Sequence, residues 1–161
     1  LKIIHQKTAA LFQAACLGGA YFYGTHEGRI ERLGHYGFCL GMAFQIVDDC
    51  LDLTGNERTV GKPLRADLEK GALSLPIIYL AQSLPAKQRD RLFAPLRRRT
   101  VDRGFFSRIA RAARRTGAVA QAMRTAHAFV ERAEDAVAVR NGIVWPQTYR
   151  QVARYAVARA Q

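Results

Sequence analysis

Residues 40–52 read LGMAFQIVDDCLD. Leu40, Phe44, Val47 and Leu51 recur at i, i+4, i+7 and i+11, the spacing at which a helix presents one apolar face. One residue advances an α-helix by about 100°, so a second row, Gly41, Gln45, Asp48 and Asp52, runs beside the apolar one. Asp48, Asp49 and Asp52 therefore sit at the edge of a buried stripe. Carboxylates one turn apart repel, and burial makes the repulsion worse. The arrangement calls for a cation. Hard carboxylate oxygens without His or Cys ligand spacing suit Mg²⁺, which keeps waters and commonly holds phosphate oxygens too. Of the plainer alternatives, a helix N-cap fits poorly with an apolar row that continues through the same turns, and a solvated acidic face stays open.

Working outward, the spacing predicts a helix over residues 29–53. Residues 1–23 read as one long helix that carries no charge after Lys7, and Gly24 to Gly28 mark a break. Residues 54–71, TGNERTVGKPLRADLEKG, form a polar stretch punctuated by Gly and Pro. A connection of that length is usually functional. A short helix begins at Ser74, with Pro76 tolerated in its first turn, and ends at Pro85. Further helices are expected over 86–99, bent at Pro95, then over 102–115, 117–140 and 146–160. Asp102 is the expected cap of the first of these three, and Gly117 and Asn141-Gly142 are the stops. No segment alternates as a strand does. The expected fold is all-α, with residues 1–161 forming part of one domain.

The loop carries charge opposite to that of the aspartates. Lys62 lies between Gly61 and Pro63, and Arg65 and Lys70 follow; together they suit an anion held by metal. Lys7 opens a long uncharged helix, where a lysine either reaches to solvent or meets an anion. The hydroxyl of Thr8 beside it can donate to a phosphate oxygen. Taken singly, each has an ordinary reading as loop solvation or a helix-end charge.

Composition narrows the classes further. The 161 residues include 49% hydrophobic and 24% charged side chains, as a folded globular domain does. Net charge is +12, unevenly spread. Residues 1–80 hold 8 basic and 8 acidic side chains, and residues 81–161 hold the other 17 of 25 basic and 5 of 13 acidic ones. The basic half raises the question of nucleic acid or an anionic membrane surface. Only Arg97–Arg99 runs together, with no aromatic interleaving, so nucleic-acid binding is not expected and a solvated arginine face is. Cys16, Cys39 and Cys50 have no ligand spacing and read as core residues in a reducing cytoplasm. Residues 8–26 carry no Asp, Glu, Lys or Arg. Gln13, Thr8, Thr25 and Gly18-Gly19 dilute them, so no transmembrane span is expected. His5, His26, His35 and His127 have no paired spacing, and no Ser/His/Asp or Cys/His set suggests a protein nucleophile.

Three segments together carry a resemblance. They are Lys7-Thr8-Ala9 with Leu11; Gly41, Phe44-Gln45, Asp48-Asp49, Leu51-Asp52 and Gly55; and Gly61-Lys62-Pro63 with Asp67-Leu68, Gly71 and Ser74-Leu75-Pro76. In order and spacing these resemble the C-terminal half of a trans-isoprenyl (polyprenyl) diphosphate synthase. The likeness is loosest after residue 80, where Tyr155 and Arg159 match a terminal pattern. The resemblance implies an all-α bundle of long helices, usually homodimeric and cytoplasmic. It also implies an enzyme that joins an allylic diphosphate to isopentenyl diphosphate and releases pyrophosphate with Mg²⁺. It assigns Asp48, Asp49 and Asp52 to a second Asp-rich metal motif, and Lys7, Thr8, Gln45 and Lys62 to the allylic diphosphate, with Lys62 also catalytic. It places the first Asp-rich motif in an N-terminal half before Leu1. The residues 1–161 are therefore expected to be inactive alone. The other reading is a non-catalytic or regulatory subunit of a heteromeric synthase.

Overall fold

The computed structural model describes residues 1–54, 73–98, 100–102, 104–138 and 145–159, and all regular structure among them is helical. In chain order the helices are α1 (Lys2–Ile4), a π-helical turn (His5–Ala9), α2 (Ala10–Phe22) and α3 (Glu27–Thr54). Then come α4 (Leu75–Ser83), α5 (Ala86–Arg97), α6 (Phe105–Arg115), α7 (Ala118–Ala136) and α8 (Thr148–Ala158). The first expected helix is thus interrupted by a π turn. Gly24 and Gly117 supply the breaks with φ of +64° and +74°, a region that L-residues avoid. Pro76 falls in the first turn of α4, and Pro95 lies inside α5. No helix among the described residues is long and apolar enough to cross a membrane.

The chain divides into two compact units, one of Leu1–Val47 with Arg124–Gln161 and the other of Asp48–Met123. In the first, α3 meets α2 and the π turn along Gly34, Gly37 and Gly41. A Cβ on Gly37 would stand 2.6 Å from the carbonyl oxygen of Phe12, and one on Gly41 would stand 2.6 Å from Cα of Ala9. Only glycine allows backbones this close. Farther along the chain, Arg32 donates from Nε to the carbonyl of Ala136 at 2.7 Å, and from Nη2 to that of Ala138. Ala136 is the last residue of α7, and Ala138 lies two positions beyond it. Trp145 receives Arg29 and Arg32 at 5.6 and 5.3 Å from its ring centre, and the Tyr36 hydroxyl donates to the carbonyl of Tyr149 at 2.8 Å.

The second unit packs Leu53, Ile77, Leu80, Phe105 and Ile109 into one core, with Leu92, Phe93 and Leu96 of α5 against it. In α6 the buried positions 105, 106, 109, 110 and 113 follow the helical period, so one stripe faces the core and the arginines face out. Phe105 is fully buried, and truncating such a ring to Ala costs about 3–5 kcal/mol. Asp102 is not the N-cap residue; Gly104 is. Asp102 instead pairs with Arg108 at 3.0 Å. That hydrogen bond, with contributions from the Gly104 and Phe105 amides, holds its carboxyl below the usual carboxylate range.

Candidate functional site

The row Gly41, Gln45, Asp48, Asp52 lies on one continuous helix, α3. Gln45 is buried at 6% exposure, Asp49 at 7%, and Asp48 and Asp52 are half-buried. Asp49 is rotated about 100° from Asp48 and faces inward. Among the described residues no three His, Cys, Asp or Glu side chains converge on a point where they could share a metal. Adjacent positions on a helix diverge, so Asp48, Asp49 and Asp52 do not close a cage by themselves. Asp48 and Asp52, one turn apart on one face, still offer hard oxygens that suit Mg²⁺ or Ca²⁺ completed by waters and phosphate. Burial, and secondarily the Asp49 carboxylate beside it, push the Cys50 thiol up to about 12.

Lys7 and Thr8 lie in the π turn, which closes when the Ala10 N–H reaches the carbonyl of His5 five residues back. Single π turns frequently mark functional sites. Thr8 Oγ1 donates to Gln45 Oε1 at 2.5 Å, joining two residues 37 positions apart that the sequence had marked separately. The contact is possible because Gly41, one turn before Gln45, lets Ala9 approach the α3 backbone. With its oxygen occupied by Thr8, Gln45 turns its amide nitrogen, a donor, away from that bond. Lys7 is exposed.

Arg159 shows what periodicity cannot reveal. Its guanidinium lies 4.0 Å from the ring centre of Phe44 and donates to the Phe44 carbonyl at 3.4 Å, while Phe12 packs near the same ring at 5.4 Å. Phe44 is thereby held immediately before Gln45. The signal in the sequence for the α2–α3 contact is the spacing Gly34, Gly37, Gly41, at i, i+3 and i+7. The remaining expected site residue, Lys62, lies outside the described residues, as do Arg65, Asp67, Lys70 and Ala72.

Comparison with known proteins bears on the same residues. A model of the family described as polyprenyl synthetase matches residues 1–112. The chain is 34% identical over its whole length to an all-trans-nonaprenyl-diphosphate synthase (geranyl-diphosphate specific) of Rhodobacter capsulatus, of which it spans 49%. It is 46% identical over 79 residues, or 49% of its length, to heptaprenyl diphosphate synthase component 2 of Geobacillus stearothermophilus, of which it spans 25%. It superposes over 99% of its length on 48% of a polyprenyl synthase from Caulobacter crescentus, solved with calcium and isoprenyl diphosphate, at 30% identity and a TM-score of 0.85. The chain thus spans about half or less of the relatives it matches. The helix that carries the aspartate row falls within the matched residues 1–112, and the chain belongs to the polyprenyl synthetase family.

Proposed function

We propose that the full-length protein carrying these residues is a prenyltransferase that condenses an allylic diphosphate with isopentenyl diphosphate and releases pyrophosphate. The observation that carries this reading is the α3 row, in which Gln45, Asp48 and Asp52 follow one another at helical spacing with Gln45 fixed by Thr8. The relatives named above, one of them solved with calcium and isoprenyl diphosphate, support it. In this reading Asp48 and Asp52 are the ligands of Mg²⁺, with Asp49 contributing negative field from the buried side. Asp48 and Asp52 would hold a divalent cation there, which would neutralise charge developing on the departing diphosphate. Gln45 positions an amide donor, Lys7 supplies a positive charge from the π turn, and Lys62 is assigned to the leaving group by its place in the Gly-Lys-Pro segment. Donors fixed before reaction need no reorganisation as charge builds. Apolar helix walls exclude water from the allylic cation. The three cysteines are free, in keeping with a reducing cytoplasm. The full-length protein is read as a homodimer, with further carboxylates supplied from outside residues 1–161.

The test is an assay of the full-length protein with Mg²⁺, isopentenyl diphosphate and geranyl diphosphate, following pyrophosphate and the lengthened product. Asp48→Ala should lower turnover by at least about 10², on the order of 2.7 kcal/mol of transition-state stabilisation. Near-normal turnover in that variant removes Asp48 from the site. The likeness to a protein named as one component of a synthase favours a second reading, a subunit of a heteromeric enzyme. Activity that appears only when a second, different chain is added selects it.

A further inference from the structure

The arginine-rich half has no part in the chemistry above. Between residues 86 and 115 the sequence carries eleven basic side chains and two acidic ones. Both acidic groups are already engaged, Asp90 with Arg97 at 3.2 Å and Asp102 with Arg108 at 3.0 Å. On α6, Arg108, Arg111, Arg114 and Arg115 are all exposed and fall within an arc of about 120° opposite the buried stripe. On α5 and its C-cap, Lys87, Arg91 and Arg98 are exposed and lie within about 40° of one another. No ion pair among the described residues involves Arg91, Arg98, Arg111, Arg114 or Arg115. Asp90, Arg91, Arg97, Arg98 and Thr100 border a groove of about 470 Å³ beside Pro95, in which Arg97 holds the Asp90 carboxylate. Proline has no N–H, so the groove presents guanidinium and hydroxyl donors beside a helix turn that lacks one backbone bond. Val101, between the two helices, is 36% exposed.

We propose that the exposed faces of α5 and α6 form a docking surface for an anionic phospholipid bilayer, with the Arg91–Arg98 groove receiving a lipid phosphate. Two observations favour a bilayer over a nucleic acid. The aromatic rings on these helices, Phe93, Phe105 and Phe106, are half-buried or buried, which leaves no platform on which bases could stack. An exposed valine amid the arginines suits an interface that is polar outside and apolar beneath. The proposal also rests on the prenyltransferase reading in one respect: each added isoprene unit makes the product more lipophilic, and a bilayer is the phase that accepts it.

Flotation of the full-length protein with vesicles tests this directly, and it needs no prenyl transfer. The protein should float with phosphatidylcholine vesicles containing phosphatidylglycerol, should not float with phosphatidylcholine alone, and should be released by salt. A basic side chain near such a surface contributes about 1 kcal/mol. The triple variant Arg111→Gln, Arg114→Gln, Arg115→Gln should therefore weaken partitioning by about 10²-fold. Arg91→Gln with Arg98→Gln should weaken it by about tenfold or more. An equal loss of charge elsewhere, Arg124→Gln, Arg150→Gln, Arg154→Gln, should leave most of the binding intact. Equal flotation with both vesicle types, salt-insensitive binding, or equal loss in the control variant overturns the proposal. Release of the protein from vesicles by random duplex DNA at equal phosphate concentration overturns it in favour of nucleic acid. The vesicle and salt comparisons use the unaltered protein, so they decide even if a variant misfolds, and pyrophosphate release measured in parallel reports separately on the enzymatic reading.

Discussion

Replacing Gly41 by Ala sets two effects of opposite sign against each other. A methyl group there would stand 2.6 Å from Cα of Ala9, 3.0 Å from Cβ of Phe12 and 3.1 Å from Cβ of Ala9. The nearest of these is backbone and cannot rotate away, so α3 and the π turn must separate by roughly 0.8 Å to restore ordinary contact. The bond from Thr8 to Gln45, now 2.5 Å, is then carried past the 3.0 Å or so at which such bonds are normally found. Overpacking costs about 1–3 kcal/mol, and the weakened hydrogen bond adds up to about 1 kcal/mol. Against this, Ala in place of Gly inside a helix returns about 0.5–1 kcal/mol. The net expectation is a loss of about 1–3 kcal/mol, read by urea denaturation of the full-length protein. Gly19→Ala is the control: nothing lies within 4 Å of its added methyl, so propensity alone acts and the variant should gain about 0.5–1 kcal/mol. A double-mutant cycle isolates the link to the site. Thr8→Val should cost about 1 kcal/mol in the parent and much less in the Gly41→Ala background. If Gly41→Ala is as stable as the parent, or if Thr8→Val costs the same in both backgrounds, the close approach does not hold Thr8 on Gln45.

The other expectations concern different parts of the molecule. Burial raises the thiols of Cys39 to about 11 and Cys50 to about 12, so the fold favours their neutral form. Their contribution to stability is complete below about pH 9 and is lost as pH rises through 11 to 12; iodoacetamide at pH 8 should label neither in the native protein, and rapid labelling of Cys50 contradicts its burial. Arg32→Ala removes both donors to the end of α7 and a contact with Trp145, and calorimetry should show a loss of about 2–4 kcal/mol; an unchanged melting temperature refutes the bracing role. Residues 1–161 purified alone should show no prenyl transfer, because Asp48, Asp49 and Asp52 are one Asp-rich motif and the resemblance places the other outside these residues. Multiple turnovers from a preparation shown by mass spectrometry to hold only this chain refute that.

Much of the helical layout was legible because it is written in local rules. Gly24, Pro76 and Gly117 stop or start helices through their own backbone preferences, and the row Leu40, Phe44, Val47, Leu51 marks α3 as a helix, although Phe44 and Leu51 are half-buried and the deepest row is Cys39, Ala43, Ile46, Cys50 and Leu53. The π turn was not legible, since one residue of extra winding leaves the apolar pattern of residues 1–23 almost unchanged. Asp102 was misplaced as a cap because two positions satisfy similar amides, and the pull of Arg108 is invisible without knowing where α6 begins. At the site, Thr8 and Gln45 were each recognisable, yet their bond depends on Gly41 admitting Ala9, a packing fact. Arg159 on Phe44 depends on the return of a helix 115 positions later.

That return has a consequence for how the polypeptide is made. Arg32 finds its carbonyl partners 104 and 106 positions downstream, Tyr36 finds its own 113 positions on, and the bond from Arg159 to Phe44 spans 115. At about 5–20 residues per second, the early helices wait roughly 5 to 20 s on the ribosome before α7 and α8 emerge. During that interval the unit of Asp48–Met123 can assemble from its own neighbours, whereas α2 and α3 have no late helices to brace them. Slow codons or a stalled ribosome between α6 and α8 would lengthen the exposure of the apolar faces of α2 and α3, and the newborn chain would depend on chaperones for that time.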